Sequence, residues 1–313
     1  MSGQSNTPES SSENFGADIP EKKLIMIGAP KSGTTSLAEW LGQHPEIQLA
    51  EEKECKFFTD FGTRQWQGPG VKDFKKTMVT DPDVYEGLFK NDKKASWGLD
   101  ASTDYLWCDA SAQLIERYAR DREVKLICVL RDPVARAFSE YAHTIRDDHQ
   151  RLSFAQSLDL EQQRVNDGWH PLFYHVTRSQ YGRSLRHYRQ IFRPDQLLIL
   201  PFEALRNETE VLARVERFVG LEPHTYDTSM VHNQSSTARS RALTSLINDA
   251  NPLKAVFGGL VPPALKDWVK RANSKRLTMS ADQEKMVYEL LKEDIEVAGE
   301  MLDFDTDHWV RAY

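Results

Sequence analysis

A six-residue loop, Gly28-Ala29-Pro30-Lys31-Ser32-Gly33, narrows the possible folds further than any other stretch of this chain. It follows Leu24-Ile25-Met26-Ile27, a short continuous apolar run of the kind buried on both faces of a parallel sheet. Beyond the loop, Leu37, Trp40 and Leu41 recur at helical spacing until His44-Pro45 ends the pattern. The glycines have the G-x-x-x-x-G spacing of a phosphate loop, in the strand-to-helix context such a loop requires. Glycine lets the backbone approach an anion closely, and the N–H groups from Ser32 to Thr35 would face one seated on the helix N-terminus. Nucleotide triphosphatases place a lysine directly after the second glycine. Here Thr34 stands there, the lysine is Lys31 inside the turn, and Thr34 and Thr35 add hydroxyl donors.

A second strand-to-helix unit follows the same logic. Val124 to Leu130 is a continuous apolar strand pattern broken by Arg131-Asp132-Pro133, with Asp132 placed to cap the next helix and Pro133 at its first position. That helix would carry Ala135, Phe138, Ala142 and Ile145 on one face. Arg131 would project from the carboxyl end of its strand, where open parallel sheets bind ligands, and its planar fork of donors suits a phosphate. Further strands are expected at Gln196–Leu200, Ser96–Leu99 and Ile47–Leu49, and helices over 208–219 and 281–302. Strands alternating with helices predict an α/β fold of P-loop type: three layers, with a central parallel sheet flanked by helices. Residues 59–92 read as loop with short helices, and 237–276 as a helical or irregular cap.

With 313 residues, 40% hydrophobic and 28% charged, the chain can bury a sizeable core. Residues 1–22, rich in Ser, Asn and Glu, are expected as a disordered tail rather than a secretory signal, and 23–313 as a single domain. Lys and Arg total 40 against 47 Asp and Glu, a net charge of −7, which gives no reason to expect nucleic acid as a partner. No apolar run reaches the roughly 20 residues of a membrane span. Three cysteines without C-x-x-C spacing suggest neither a disulfide framework nor a metal site, and point to a reducing, cytoplasmic setting.

The stretch Pro30-Lys31-Ser32-Gly33-Thr34-Thr35-Ser36-Leu37 resembles the 5′-phosphosulfate loop of the sulfotransferase superfamily, in its bacterial and heparan sulfate sulfotransferase-like branch. Val129 to Tyr141 resembles that family's 3′-phosphate segment, in which the arginine and serine at Arg131 and Ser139 grip the ribose phosphate. The resemblance runs from about Lys23 to Leu243. It implies transfer of a sulfonate group from 3′-phosphoadenosine 5′-phosphosulfate (PAPS) to an acceptor hydroxyl, without a metal. Glu54-Cys55-Lys56-Phe57-Phe58 is similar to the family's E-P-H-F-F stretch, whose glutamate is the catalytic base; proline and histidine are replaced here. Glu54 is then the candidate base, with His143, four residues beyond Ser139, as its rival.

Leu99 to Leu106 is similar to a family segment at a strand end, with Ala101 in place of the heparan enzymes' lysine and with Asp100 and Ser102 as site-lining candidates. The segment with Tyr181 resembles the helix beside the nucleotide. The segment with Arg239 and Arg241 resembles the loop that closes over the donor phosphates. The composition favours a neutral small molecule, lipid or oligosaccharide as acceptor. Two other classes compete: a phosphoryl-transferring kinase, which would want a lysine where Thr34 stands, and a non-catalytic nucleotide-binding module, which has no use for Glu54.

Overall fold

The computed structural model describes residues 19–90, 95–229, 237–238, 274–275 and 277–313. Five strands form one sheet: β1 (Lys22–Gly28), β2 (Ile47–Leu49), β3 (Trp97–Ala101), β4 (Val124–Leu130) and β5 (Leu197–Pro201). Their order is β2-β3-β1-β4-β5, and every neighbouring pair is parallel. β1 is therefore central, and its tip adjoins the tips of β3 and β4.

The helices are α1 (Thr34–Leu41), α2 (Val71–Lys76), α3 (Pro82–Gly87), α4 (Ser111–Tyr118) and α5 (Pro133–Arg146). They continue with α6 (Phe154–Asp159), α7 (Glu161–Asn166), α8 (Tyr181–Ile191), α9 (Glu208–Val219) and α10 (Ala281–Gly299). Alternation along β1 explains the three layers. Leu24 and Met26 pack against Leu37 of α1 and Val215 of α9, while Ile25 and Ile27 share a core with Val134 of α5, Leu185 of α8 and Val287 of α10. A strand apolar at every position is covered on both faces. The α/β architecture with a parallel sheet is as the sequence predicts.

Local details differ. The third predicted strand begins one residue later, at Leu197, and α10 ends at Gly299. The predicted apolar face of α5 is met in part: Ala142 is buried and Phe138 and Ile145 pack partly buried against the core, while Val134, Ala137 and Tyr141 are also buried and Ala135 is partly exposed. A salt bridge within the helix, Arg136 to Glu140 at 2.9 Å, also sits in the interior. Asp132 caps α5 as expected, accepting from the Ala135 N–H at 2.8 Å with Pro133 at the first position. The expected tail up to residue 18 lies outside the described residues. So does most of the expected cap, including Arg239 and Arg241; Thr237–Ala238 pairs antiparallel with Ser274–Lys275. Among the described residues, no helix is long and apolar enough to cross a membrane.

Candidate active site

The loop after β1 is pinned where it leaves the strand. The Ala29 N–H donates to the Val129 carbonyl of β4 at 2.8 Å, and the Leu106 N–H donates to Ile27 at 2.8 Å. Gly33 begins α1 in the left-handed region, φ 78°, and a Cβ there would lie 2.4 Å from Leu205 Cδ1. The left-handed backbone there favours glycine over any residue with a Cβ. No side chain caps α1, so its first N–H groups are free of side-chain competition for an anion.

A cavity of about 580 Å³ opens over this loop. Lys31, Gly33, Thr34, Thr35 and Ser36 form one wall. Arg131 and Ser139 form a second, at the tip of β4 and on α5. The two walls touch: an Arg131 guanidinium N–H donates to the Lys31 carbonyl at 3.3 Å, and the guanidinium stacks over the Phe202 ring at 5.1 Å. Phe202, Leu205, Arg206 and Trp40 add a third, largely apolar wall. Lys53 also lines the cavity and donates to Thr35 Oγ1.

Glu54 closes the far end. Its carboxylate accepts from the Thr103 N–H at 2.8 Å and from Thr103 Oγ1 at 2.9 Å, so a residue in the turn just beyond β3 holds it in place. Burial and then the charge of Asp104 push the Glu54 carboxyl above the usual range, against the pull of Lys56, Lys53 and the Thr103 bond. Lys31 is held down to about 8, first by burial and then by the Arg146 charge. His143 lines the same cavity, with Nδ1 3.4 Å from Asp147 Oδ2. Burial and the neighbouring Lys31 charge lower its pKa to about 4, so the ring is neutral at neutral pH.

Most of the site residues expected from sequence meet here: Lys31, Gly33, Thr34, Thr35, Ser36, Glu54, Arg131, Ser139 and His143 share one cavity. Others stand apart. Ser32 and Tyr181 are fully buried and absent from the cavity wall, because the loop turns Ser32 inward toward α8. Asp100 and Ser102 are also fully buried; Asp100 accepts from Ser102 Oγ at 2.7 Å and from the Tyr105 hydroxyl at 2.8 Å, an internal network rather than a lining. Reading the sequence missed Thr103, Lys53 and the Phe202 wall. Lys53 sits in a charge run, where one lysine has no mark to distinguish it from solvated neighbours.

The sulfotransferase domain family matches residues 21–251. The chain belongs to the sulfotransferase family. Among its relatives, human heparan sulfate glucosamine 3-O-sulfotransferase 3B1 is 28% identical over 204 residues, covering 64% of this chain and 46% of that protein. Mouse bifunctional heparan sulfate N-deacetylase/N-sulfotransferase 3 is 24% identical over 230 residues, covering 64% of this chain and 22% of that one. The chain thus spans about half the length, or less, of the curated relatives it matches. A solved sulfotransferase from Alicyclobacillus acidocaldarius superposes with a TM-score of 0.72 at 25% identity, covering 93% of this chain and 99% of that one.

Proposed function

We propose that this protein transfers a sulfonate group from PAPS to the hydroxyl of a small-molecule, lipid or carbohydrate acceptor. One observation carries the reading: two sets of anion-binding donors, Lys31 with Thr34 and Thr35, and Arg131 with Ser139, line one cavity from the tips of adjacent strands. A donor with phosphate at both its 5′ and 3′ ends uses both sets, and the donor chemistry present fits it: two cations, several hydroxyls and an uncapped helix N-terminus. Arg131 and Ser139 hold the 3′-phosphate. Thr34, Thr35, Ser36 and the α1 N-terminus hold the 5′ side, with Lys53 above Thr35 as an added cation. When bound, PAPS supplies the sulfonate and a phosphate leaving group.

Lys31 places positive charge where the leaving side gains negative charge. Glu54 takes the acceptor's proton; its raised pKa makes it a stronger base than an ordinary carboxylate, and Thr103 fixes its direction. His143, with its pKa near 4, is the weaker candidate and serves in positioning. Ser32 and Tyr181 support the loop from behind. Arg239 and Arg241, outside the described residues, are assigned as clamps on the donor phosphates by resemblance. A single domain over 23–313 and a reducing, cytoplasmic setting belong to the same reading; the three free, buried cysteines support the setting.

The test is transfer of labelled sulfonate from PAPS across an acceptor panel, with Glu54→Gln beside the wild type. Turnover is expected to fall roughly a hundredfold or more, with the affinity for adenosine 3′,5′-bisphosphate within about twofold. Wild-type turnover in Glu54→Gln would remove the base assignment. Phosphoryl transfer from ATP in place of sulfonate transfer would replace the reading with that of a kinase.

A further inference from the structure

Two carboxylates and two guanidinium groups are ion-paired in the interior beside Glu54. Asp104 and Arg178 have side chains only 6% exposed, and Arg178 Nη2 donates to Asp104 Oδ1 at 2.5 Å. Trp107 Nε1 donates to the same oxygen at 2.8 Å. Through Nη1, Arg178 also pairs with Glu140, which Arg136 holds at 2.9 Å. Arg178 stands in the turn Thr177–Ser179, fixed in its turn by Glu161, whose carboxylate accepts the Thr177 N–H at 2.8 Å. Three elements are tied together in this way: the turn beyond β3, the turn before α8, and α5, which brings Ser139 and His143 to the cavity. A buried ion pair is weak evidence for stability, because desolvating both charges offsets their attraction. Its place beside Glu54 gives this one a use.

Asp104 directly follows Thr103, whose N–H and hydroxyl hold the Glu54 carboxylate. Anchoring the Asp104 side chain therefore fixes the turn from which Thr103 donates. The electrostatics follow from the same pairing. Arg136 and Arg178 balance Glu140 and Asp104, and Glu54 is left as a further carboxylate bonded to neutral groups. The lysines of its own loop are engaged elsewhere: Lys56 donates to the Glu54 main-chain carbonyl at 2.6 Å and to Thr77 Oγ1 at 2.7 Å, and Lys53 donates to Thr35 Oγ1. Burial and then the Asp104 charge push the Glu54 carboxyl up, while Lys56 and Lys53 pull it down. An adjoining cavity of about 380 Å³ exposes Glu54 together with Asp104 and Arg178. From the other elements, Lys31, His143, Asp147, Glu140, His149, His170 and Asp73 face the same space. All of these stay in place when Asp104 alone is changed.

We propose that Asp104 is a positioning residue for the transfer reaction: anchored by Arg178 and Trp107, it fixes the turn that aims Glu54 and supplies the negative charge beside it. The proposal rests on Glu54 being the base in the sulfonate-transfer reading, and it adds a residue that acts through that base.

The experiment uses the full chain with adenosine 3′,5′-bisphosphate bound and carbon-13 at the glutamate side-chain carboxyls. The Glu54 resonance, assigned by its loss in Glu54→Gln, is followed as pH is varied. Asp104→Asn keeps the shape of the side chain and removes its charge. The Glu54 midpoint is expected to fall by about one pH unit, with bisphosphate affinity within about twofold of wild type. Transfer from PAPS to the most active acceptor of the panel should lose roughly threefold or more, in kcat rather than KM. Asp104→Ser, also uncharged and smaller, gives the same reading should Asp104→Asn not fold. A midpoint that stays or rises in a variant still binding the bisphosphate would overturn the proposal, as would an unchanged kcat. Wild-type turnover in Glu54→Gln would instead remove the base assignment itself, a result distinct from these.

Discussion

Burial and the Arg146 charge hold the Lys31 ammonium at a pKa of about 8, against 10.5 for a free lysine. A folded-state pKa below the unfolded one means the charged form is disfavoured in the native protein; this group therefore adds stability as pH rises from about 8 toward 10.5. Donor binding runs the opposite way. A pKa of about 8 leaves Lys31 about nine-tenths protonated at pH 7 and about one-tenth at pH 9. If the bound anion keeps the proton on Lys31, the dissociation constant of adenosine 3′,5′-bisphosphate rises about tenfold between those pH values. Binding at pH 9 then takes up about 0.9 of a proton. Calorimetry in two buffers of different ionisation enthalpy measures both quantities. Lys31→Arg, whose guanidinium stays charged throughout, should flatten the profile. An affinity that does not change from pH 7 to 9, or a tenfold change that persists in Lys31→Arg, would refute the assignment of Lys31 to the anion site.

Gly33→Ala forces a Cβ toward Leu205 in a left-handed conformation, so a loss of about 1–3 kcal/mol in thermal or denaturant unfolding is expected, with weakened bisphosphate binding. Thr103→Val removes the hydroxyl held 2.9 Å from Glu54 but keeps the backbone bond; turnover should fall about tenfold in steady-state assays with bisphosphate affinity intact. Transfer assayed in EDTA should persist, because Lys31 and Arg131 supply the positive charge that a metal would provide.

The two strand-to-helix units were legible because strands buried on both faces show as unbroken apolar runs, and because Lys31 lies in the loop after one strand and Arg131 directly after the other. Ser139 came from the resemblance of Val129 to Tyr141 to the family's 3′-phosphate segment, and it lines the cavity with Arg131. Thr103 was not legible. It lies in a short turn beside Ser102, where no periodicity tells which hydroxyl faces the cavity and which turns to Asp100. Asp100 was expected in the site by resemblance; its burial was not legible because two of its partners, Cys55 and Tyr85, lie 45 and 15 residues away and only folding brings them to it. The buried side of α5 was legible only in part, for a related reason: Arg136 and Glu140 are ordinarily surface residues, and here a buried network with Arg178 and Ser179 takes them inside.

The account stands on two phosphate sites acting on one ligand. The most direct test compares the affinities of adenosine 3′,5′-bisphosphate and adenosine 5′-monophosphate for the wild type and for Arg131→Ala, by calorimetry at pH 7. The wild type should prefer the bisphosphate by about a hundredfold, since a buried charge-assisted contact is worth roughly 1.5–3 kcal/mol, and Arg131→Ala should lose most of that preference while binding the monophosphate unchanged. Equal affinity of the wild type for the two nucleotides, or a preference that survives in Arg131→Ala, would contradict it.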